Sequence, residues 1–120
     1  MGHAQDRKHL MARGELLGPL EHVILLALVR LESQAYGMTV RREIERRTER
    51  NISIGAVYST LERLEAKGYV SSFTGEPTAE RGGRAKRFFR IEASGEEALR
   101  ASHEAIRRMA HGLKHGWGIG

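Results

Sequence analysis

Apolar residues return along this chain in two rhythms, one of three to four residues and one of two. From Leu20 to Glu32, the residues Leu20, Val23, Ile24, Ala27, Leu28 and Leu31 recur at helical spacing, and Leu25 and Leu26 widen the stripe. A helix apolar over most of its circumference belongs at the centre of a domain. Gly18-Pro19 is a suitable lead-in, because proline costs nothing in a first turn whose amides have no partner. Ser33 to Gly37 reads as a connector and Met38 to Thr48 as a second helix with Val40 and Ile44 turned inward. Its other positions alternate Arg41, Arg42, Arg46, Arg47 and Arg50 with Glu43, Glu45 and Glu49, the pattern of a solvated face laced with i,i+4 pairs. Asn51, tolerant of left-handed backbone, is expected to end that helix.

The stretch from Ile52 to Val70 predicts a third helix with marked ends. Ser53 suits the N-cap, Gly68 the closing left-handed position and Lys67 the last turn. Ile54, Val57, Leu61 and Leu64 form its apolar side, while Gly55, Ala56, Ser59, Glu62, Arg63 and Ala66 form the other. The leading turn and a half of that second side carries only small side chains, which lets a helix approach another large object closely. Tyr58 and Thr60 are placed at its two margins. Small residues mark a docking face.

After Gly68 the rhythm shortens. Tyr69 to Thr74 reads as a strand, Gly75 to Gly83 as a hairpin tip, and Arg84 to Ile91 as a returning strand with Phe89 and Ile91 toward the core. Between Glu80 and Arg90 stand Arg81, Arg84, Lys86, Arg87 and Arg90 against a single acid. Such a hairpin beside a helix-turn-helix fits a wing on the sugar–phosphate backbone, where charge counts and sequence does not. Ser94-Gly95-Glu96-Glu97 has the form of a capping box opening a last helix to about Leu113. Leu99, Ile106 and Leu113 lie seven apart, with Met109 between the last two, a heptad seam that either folds back on the first helix or, as is favoured, meets the same helix of a second copy of the chain. The expected architecture is mainly α with a small β-hairpin: a winged helix-turn-helix over residues 16–92, preceded by a flexible arm over 1–15. A C-terminal dimerisation helix and tail complete it over 93–120.

Composition narrows the partners. The 120 residues suit one domain, and the net charge of +5 points first to nucleic acid and second to an anionic membrane. The longest apolar run, Val23 to Val29, is seven residues and far short of a span. With no apolar signal region at the N-terminus, the cytoplasm is expected. No cysteine is present, so disulfides and thiolate metal sites are excluded.

Several runs in one order resemble the PadR-type winged-helix transcriptional regulators. They are Leu17 to Leu25 (LGPLEHVIL), Tyr36-Gly37-Met38, Ser53 to Glu65 (SIGAVYSTLERLE) and Gly83 to Ile91 (GRAKRFFRI). The resemblance implies a homodimeric repressor on an inverted-repeat operator in double-stranded DNA, paired through the C-terminal helix. It implies that Tyr58 and the polar residues after it lie at the DNA surface, with Arg84 to Arg87 at the adjacent groove. Ala85 departs from the family's usual proline, which loosens the wing, and the C-terminal part is short.

The reading of the residues and the resemblance together assign roles. Gly55, Ala56, Ser59 and Arg63 are expected to face the bases, with Arg63 best placed for a bidentate guanine contact, and Ser53 is expected to lie at the DNA beside them. Tyr58, Thr60, Arg84, Lys86 and Arg87 are expected to hold phosphates. Leu99, Ile106, Met109 and Leu113 are expected to form the dimer seam. Trp117, the only tryptophan, suits either an anchor for the last helix or a stacking surface for a small aromatic effector. His111 and His115 have helical metal spacing, yet no third ligand accompanies them, so no metal and no cofactor are expected. No triad or phosphate-loop signature argues for an enzyme. Two rivals remain: a winged-helix module for a protein partner, and a sensor built mainly around a ligand pocket.

Overall fold

The computed structural model describes residues 15–75 and 85–113. Four helices and one hairpin follow in order: α1 Pro19–Leu31, α2 Gly37–Thr48, α3 Ile54–Ala66, β1 Val70–Thr74, β2 Arg87–Ile91 and α4 Ala93–Ala110. A single 3-10 turn, Glu32–Gln34, joins α1 to α2.

The apolar rhythm becomes the core. Ile24, Leu25 and Leu28 of α1 meet Val40 and Ile44 of α2, Val57, Leu61 and Leu64 of α3, Phe89 of β2 and Leu99 of α4 in one cluster. α1 touches every other helix, as its wide stripe requires. Gly18 caps it with Pro19 at the first position, and the Gly18 amide donates to the Glu21 carboxylate at 3.1 Å. α2 ends at Thr48 as expected, but Glu49, not Asn51, takes the left-handed cap at φ 58°. Asn51 lies beyond the helix because Glu45, still within it, accepts from the Ile52 amide at 3.0 Å and draws the turn back.

α3 begins as the sequence indicates. The Ser53 hydroxyl accepts from the Ala56 amide at 3.0 Å, and Gly68 closes the far end at φ 82°. β1 and β2 pair antiparallel with Val70 opposite Ile91 and Thr74 opposite Arg87. Each strand is shorter than expected, since Tyr69 precedes β1 and the pairing begins at Arg87. A third, one-residue strand extends the sheet, where Tyr36 bridges Phe88 and the Phe89 amide donates to Ala35 carbonyl at 2.9 Å. Helix, bridge, two helices, hairpin: the architecture is a winged helix.

α4 departs from the expected capping box. Glu92 is its N-cap, and Ser94 sits inside the first turn with its hydroxyl donating to the Gly68 carbonyl at 2.7 Å. Lying past the N-cap, that hydroxyl ties α4 to the end of α3 instead of capping its own helix. α4 stops at Ala110, short of Leu113, as Gly112 turns to φ 83°. No described helix is long and apolar enough to cross a membrane.

Candidate nucleic-acid interface

The outward side of α3 is small and polar. Ser53, Gly55 and Ser59 are exposed, Ala56 is half-buried, and the Ser59 hydroxyl returns to the Ala56 carbonyl at 3.3 Å. Nothing lies within 4 Å of the point where a Gly55 Cβ would stand, so the leading turn presents bare backbone. Tyr58 is half-buried, its ring laid over Gly37 of α2 and its centroid 6.4 Å from that of Phe89. It joins α3 to α2 and the sheet.

Thr60 corrects the sequence reading. It is 1% exposed and belongs to the core, so it reaches no phosphate. Its position explains this: three after Val57 and four before Leu64, it lies on the apolar stripe, and helical phase outweighs the hydroxyl.

Arg63 is exposed but engaged. Its Nε lies 3.1 Å from Glu21 Oε2, and Lys67 Nζ reaches the same oxygen at 3.1 Å. Burial pushes the Glu21 carboxyl up, but hydrogen bonds from Lys67, the Gly18 amide and Arg63 outweigh it and hold the group below its ordinary range. No motif marks Glu21. The signal was available, since it stands three, four and seven residues before Ile24, Leu25 and Leu28, on the buried stripe.

The wing cations are likewise braced from within. Arg87 bonds Glu65 at 2.7 Å and Glu62 at 3.5 Å, both on α3, and its guanidinium lies 4.9 Å from the Phe89 ring centre. Lys86 Nζ stands 4.4 Å above the Tyr36 ring and 3.3 Å from its hydroxyl. On the hairpin's outer side, Tyr36, Phe88 and Phe73 form a ladder with centroids 5.4 and 5.7 Å apart, and Arg90 covers Phe73 at 5.1 Å. The ladder stiffens the described base of a wing that carries Ala85 in place of proline. Arg84 and the hairpin tip lie outside the described residues, as do Trp117 and His115.

The base of a basic wing thus stands beside a capped helix with a bare leading face, on one winged-helix frame. Residues 25–101 match the transcriptional regulator PadR-like family. The chain belongs to that family. Solved structures agree on the fold of this PadR-like regulator. A transcriptional regulator from Clostridium thermocellum is 25% identical with a TM-score of 0.64, the alignment covering 75% of this chain and 82% of that one. A PadR family regulator from Clostridium difficile is 19% identical with a TM-score of 0.62, over 77% and 91%. BpsR of Bordetella bronchiseptica, whose DNA binding is regulated by 6-hydroxynicotinic acid, is 17% identical with a TM-score of 0.58, over 95% and 86%. No curated protein matches significantly. The family and the two clostridial neighbours are transcriptional regulators.

On α4 the expected seam divides. Leu99 is buried in the chain's own core, packed with α1, and is therefore not free for a second copy. Ile106, Met109 and Leu113 are exposed, at 50%, 82% and 44%. His111 caps α4, and no group of three or more His, Cys, Asp or Glu among the described residues is placed to hold a metal.

Proposed function

We propose that this PadR-like regulator is a homodimeric repressor that reads an inverted-repeat operator through α3 and grips the flanking backbone with its wing. The observation that carries the reading is the bare leading face of α3, with Ser53, Gly55 and Ser59 exposed on the same helix whose Glu62 and Glu65 hold Arg87 of the wing. Ser53, Gly55, Ala56, Ser59 and Arg63 are the base-facing group, and Lys86 and Arg87 the backbone group. Arg84 joins them on its sequence position alone. The exposed apolar residues Ile106 and Met109, with Leu113 just beyond the helix, support pairing of two copies through the far half of α4 and the turn after it. A two-fold pair carries two α3 helices to half-sites about one helical turn apart. Repression, as distinct from activation, rests on the family resemblance.

Duplexes selected from random-sequence DNA by the full chain test this. The expected product is an inverted repeat bound by two chains, with affinity falling steeply as salt rises. Selection of no sequence, or salt-independent binding, would sink it.

A second reading, DNA binding adjusted by a small ligand, draws on a cleft of about 510 Å³ between α1, the hairpin and the start of α4. Leu28, Phe73 and Ile91 line it with Arg90, Glu32 and Glu96. The regulation of BpsR by a small aromatic acid gives that reading a precedent. Trp117 lies outside the described residues and adds nothing to it.

A further inference from the structure

We infer that Glu21 sets the sequence selectivity of this regulator by withholding Arg63 from DNA until a correctly placed base draws it away. The inference rests on α3 being the DNA-reading helix. Glu21 belongs to α1 and makes no surface of its own: its side chain is 7% exposed, against 53% for Arg63.

The carboxylate is anchored independently of Arg63. One oxygen accepts from the Gly18 amide at 3.1 Å, and the other meets Lys67 Nζ at 3.1 Å. Lys67 is itself steadied by Glu15 at 3.4 Å. Arg63 is therefore able to leave Glu21 while Lys67 still compensates the buried charge. Its guanidinium is turned back along the helix, Nε on Glu21 and Nη2 3.5 Å from the Thr60 hydroxyl. That posture points it at α1.

Reaching the DNA means giving up a direct, partly desolvated ion pair. In a non-specific complex the available contacts are loose and separated by water, and exchanging a direct pair for one of these is unfavourable. A guanine edge offers two acceptors in the fork geometry of the guanidinium, and that contact makes up for the loss. Selectivity then comes from an internal competitor as well as from the base contact itself. Glu21 never touches the DNA. It is a positioning residue that acts through Arg63.

Glu21→Gln keeps the size and the hydrogen bond to Gly18 while removing the charge. Binding of the full chain to its selected duplex and to a scrambled duplex, each titrated with salt, reads the effect. In Glu21→Gln, affinity for scrambled DNA is expected to rise severalfold and its log–log salt slope to steepen by about one. The selected-to-scrambled ratio is expected to fall about tenfold. A lost structural brace would weaken both duplexes and would not steepen the slope.

Arg63→Gln supplies the second arm and leaves the Glu21–Lys67 pair intact. It is expected to lose about tenfold or more on the selected duplex, with scrambled binding and slope unchanged. The double variant is expected to match Arg63→Gln on scrambled DNA. An unaltered slope in folded Glu21→Gln overturns the inference, and so does a shallower slope for scrambled DNA in Arg63→Gln. The latter decides the matter even if Glu21→Gln does not fold. A wild-type chain that prefers no sequence defeats the operator reading itself, a result separable from either failure.

Discussion

α4 is one continuous helix with two different histories of burial. In its first half, Gly95, Ala98, Leu99 and Ser102 are buried against the rest of the chain. The Ser102 hydroxyl accepts from the Leu17 amide at 3.1 Å, and the Glu92 amide donates to the Tyr69 carbonyl at 2.8 Å. In its second half, Ile106 and Met109 stand in solvent. The polar side there is held by Glu104, which receives Arg107 at 2.8 Å and Arg108 at 3.1 Å; the two guanidinium groups pull its carboxyl down to about 2. The same apolar rhythm runs through both halves. Periodicity names the sticky face of a helix but not what covers it. The first half belongs to the fold of one chain, and the second is available to another.

Replacing matched residues in the two halves breaks or sustains that division. Leu99→Ala empties a core position and is expected to cost about 2–5 kcal/mol of folding stability, read by chemical denaturation. Met109→Ala removes a side chain that is 82% exposed and is expected to stay within about 0.5 kcal/mol. Equal effects at the two sites would show that the halves are not distinct.

Gly95→Ala probes the tightest point of the first half. A Cβ on Gly95 meets the Tyr69 carbonyl carbon at 3.0 Å and the Ile91 side chain at 3.0 Å, and the carbonyl oxygen lies closer still. Backbone cannot swing aside as a long side chain can, so α4 must lift from the turn that ends α3. A loss of about 1–3 kcal/mol is expected in denaturation, together with weaker DNA binding. The Ser94 bond to Gly68 and the Glu92 bond to Tyr69 tie the same two elements, so a shift at Gly95 is felt at the end of α3.

The second half answers to a different measurement. Ile106→Glu places a charge on the exposed apolar row and is expected to leave the thermal midpoint of the isolated chain nearly unchanged. In sedimentation velocity it is expected to move the protein from two chains to one. Operator affinity should fall with it, because each half-site then binds alone. A dimer that survives Ile106→Glu would place the interface elsewhere.

Much of this was legible in the sequence because burial follows phase. The stripes of α1, α2 and α3, the Ser53 and Gly68 caps and the alternation around Phe89 are local signals, and each became the expected element. The failures share a cause. Thr60 was read by its hydroxyl when its phase said core. Ser94 looked like a cap because the pattern is local, while its true partner, Gly68, lies 26 residues away. The sequence offers Arg63 and Arg87 to DNA without showing their carboxylates, which stand 42 and 22 residues distant. No period reports a pairing made only by the fold. Leu99 and Ile106 look alike in sequence for the same reason.

The mildest test concerns acid, at the seam where the first half of α4 meets α1. His22 is 8% exposed, and its Nε2 lies 3.3 Å from Nδ1 of His103. Burial lowers the affinity of His22 for a proton, and electrostatic repulsion from the neighbouring His103 lowers it further. Unfolded, the same imidazole titrates near its ordinary value of about 6.5. Between the two values the unfolded chain binds more protons than the folded one, so stability must rise with pH across that window and fall as acid is added. Glu21, also held below its ordinary range, contributes in the same sense but only at lower pH, where carboxylates begin to protonate. Denaturation midpoints are therefore expected to drop from pH 7.5 to 5.5 in the wild type and to drop less in His22→Gln, whose amide carries no charge at either pH. A slope equally steep in His22→Gln would assign the acid sensitivity to another group and remove the histidine pair from the account of this seam.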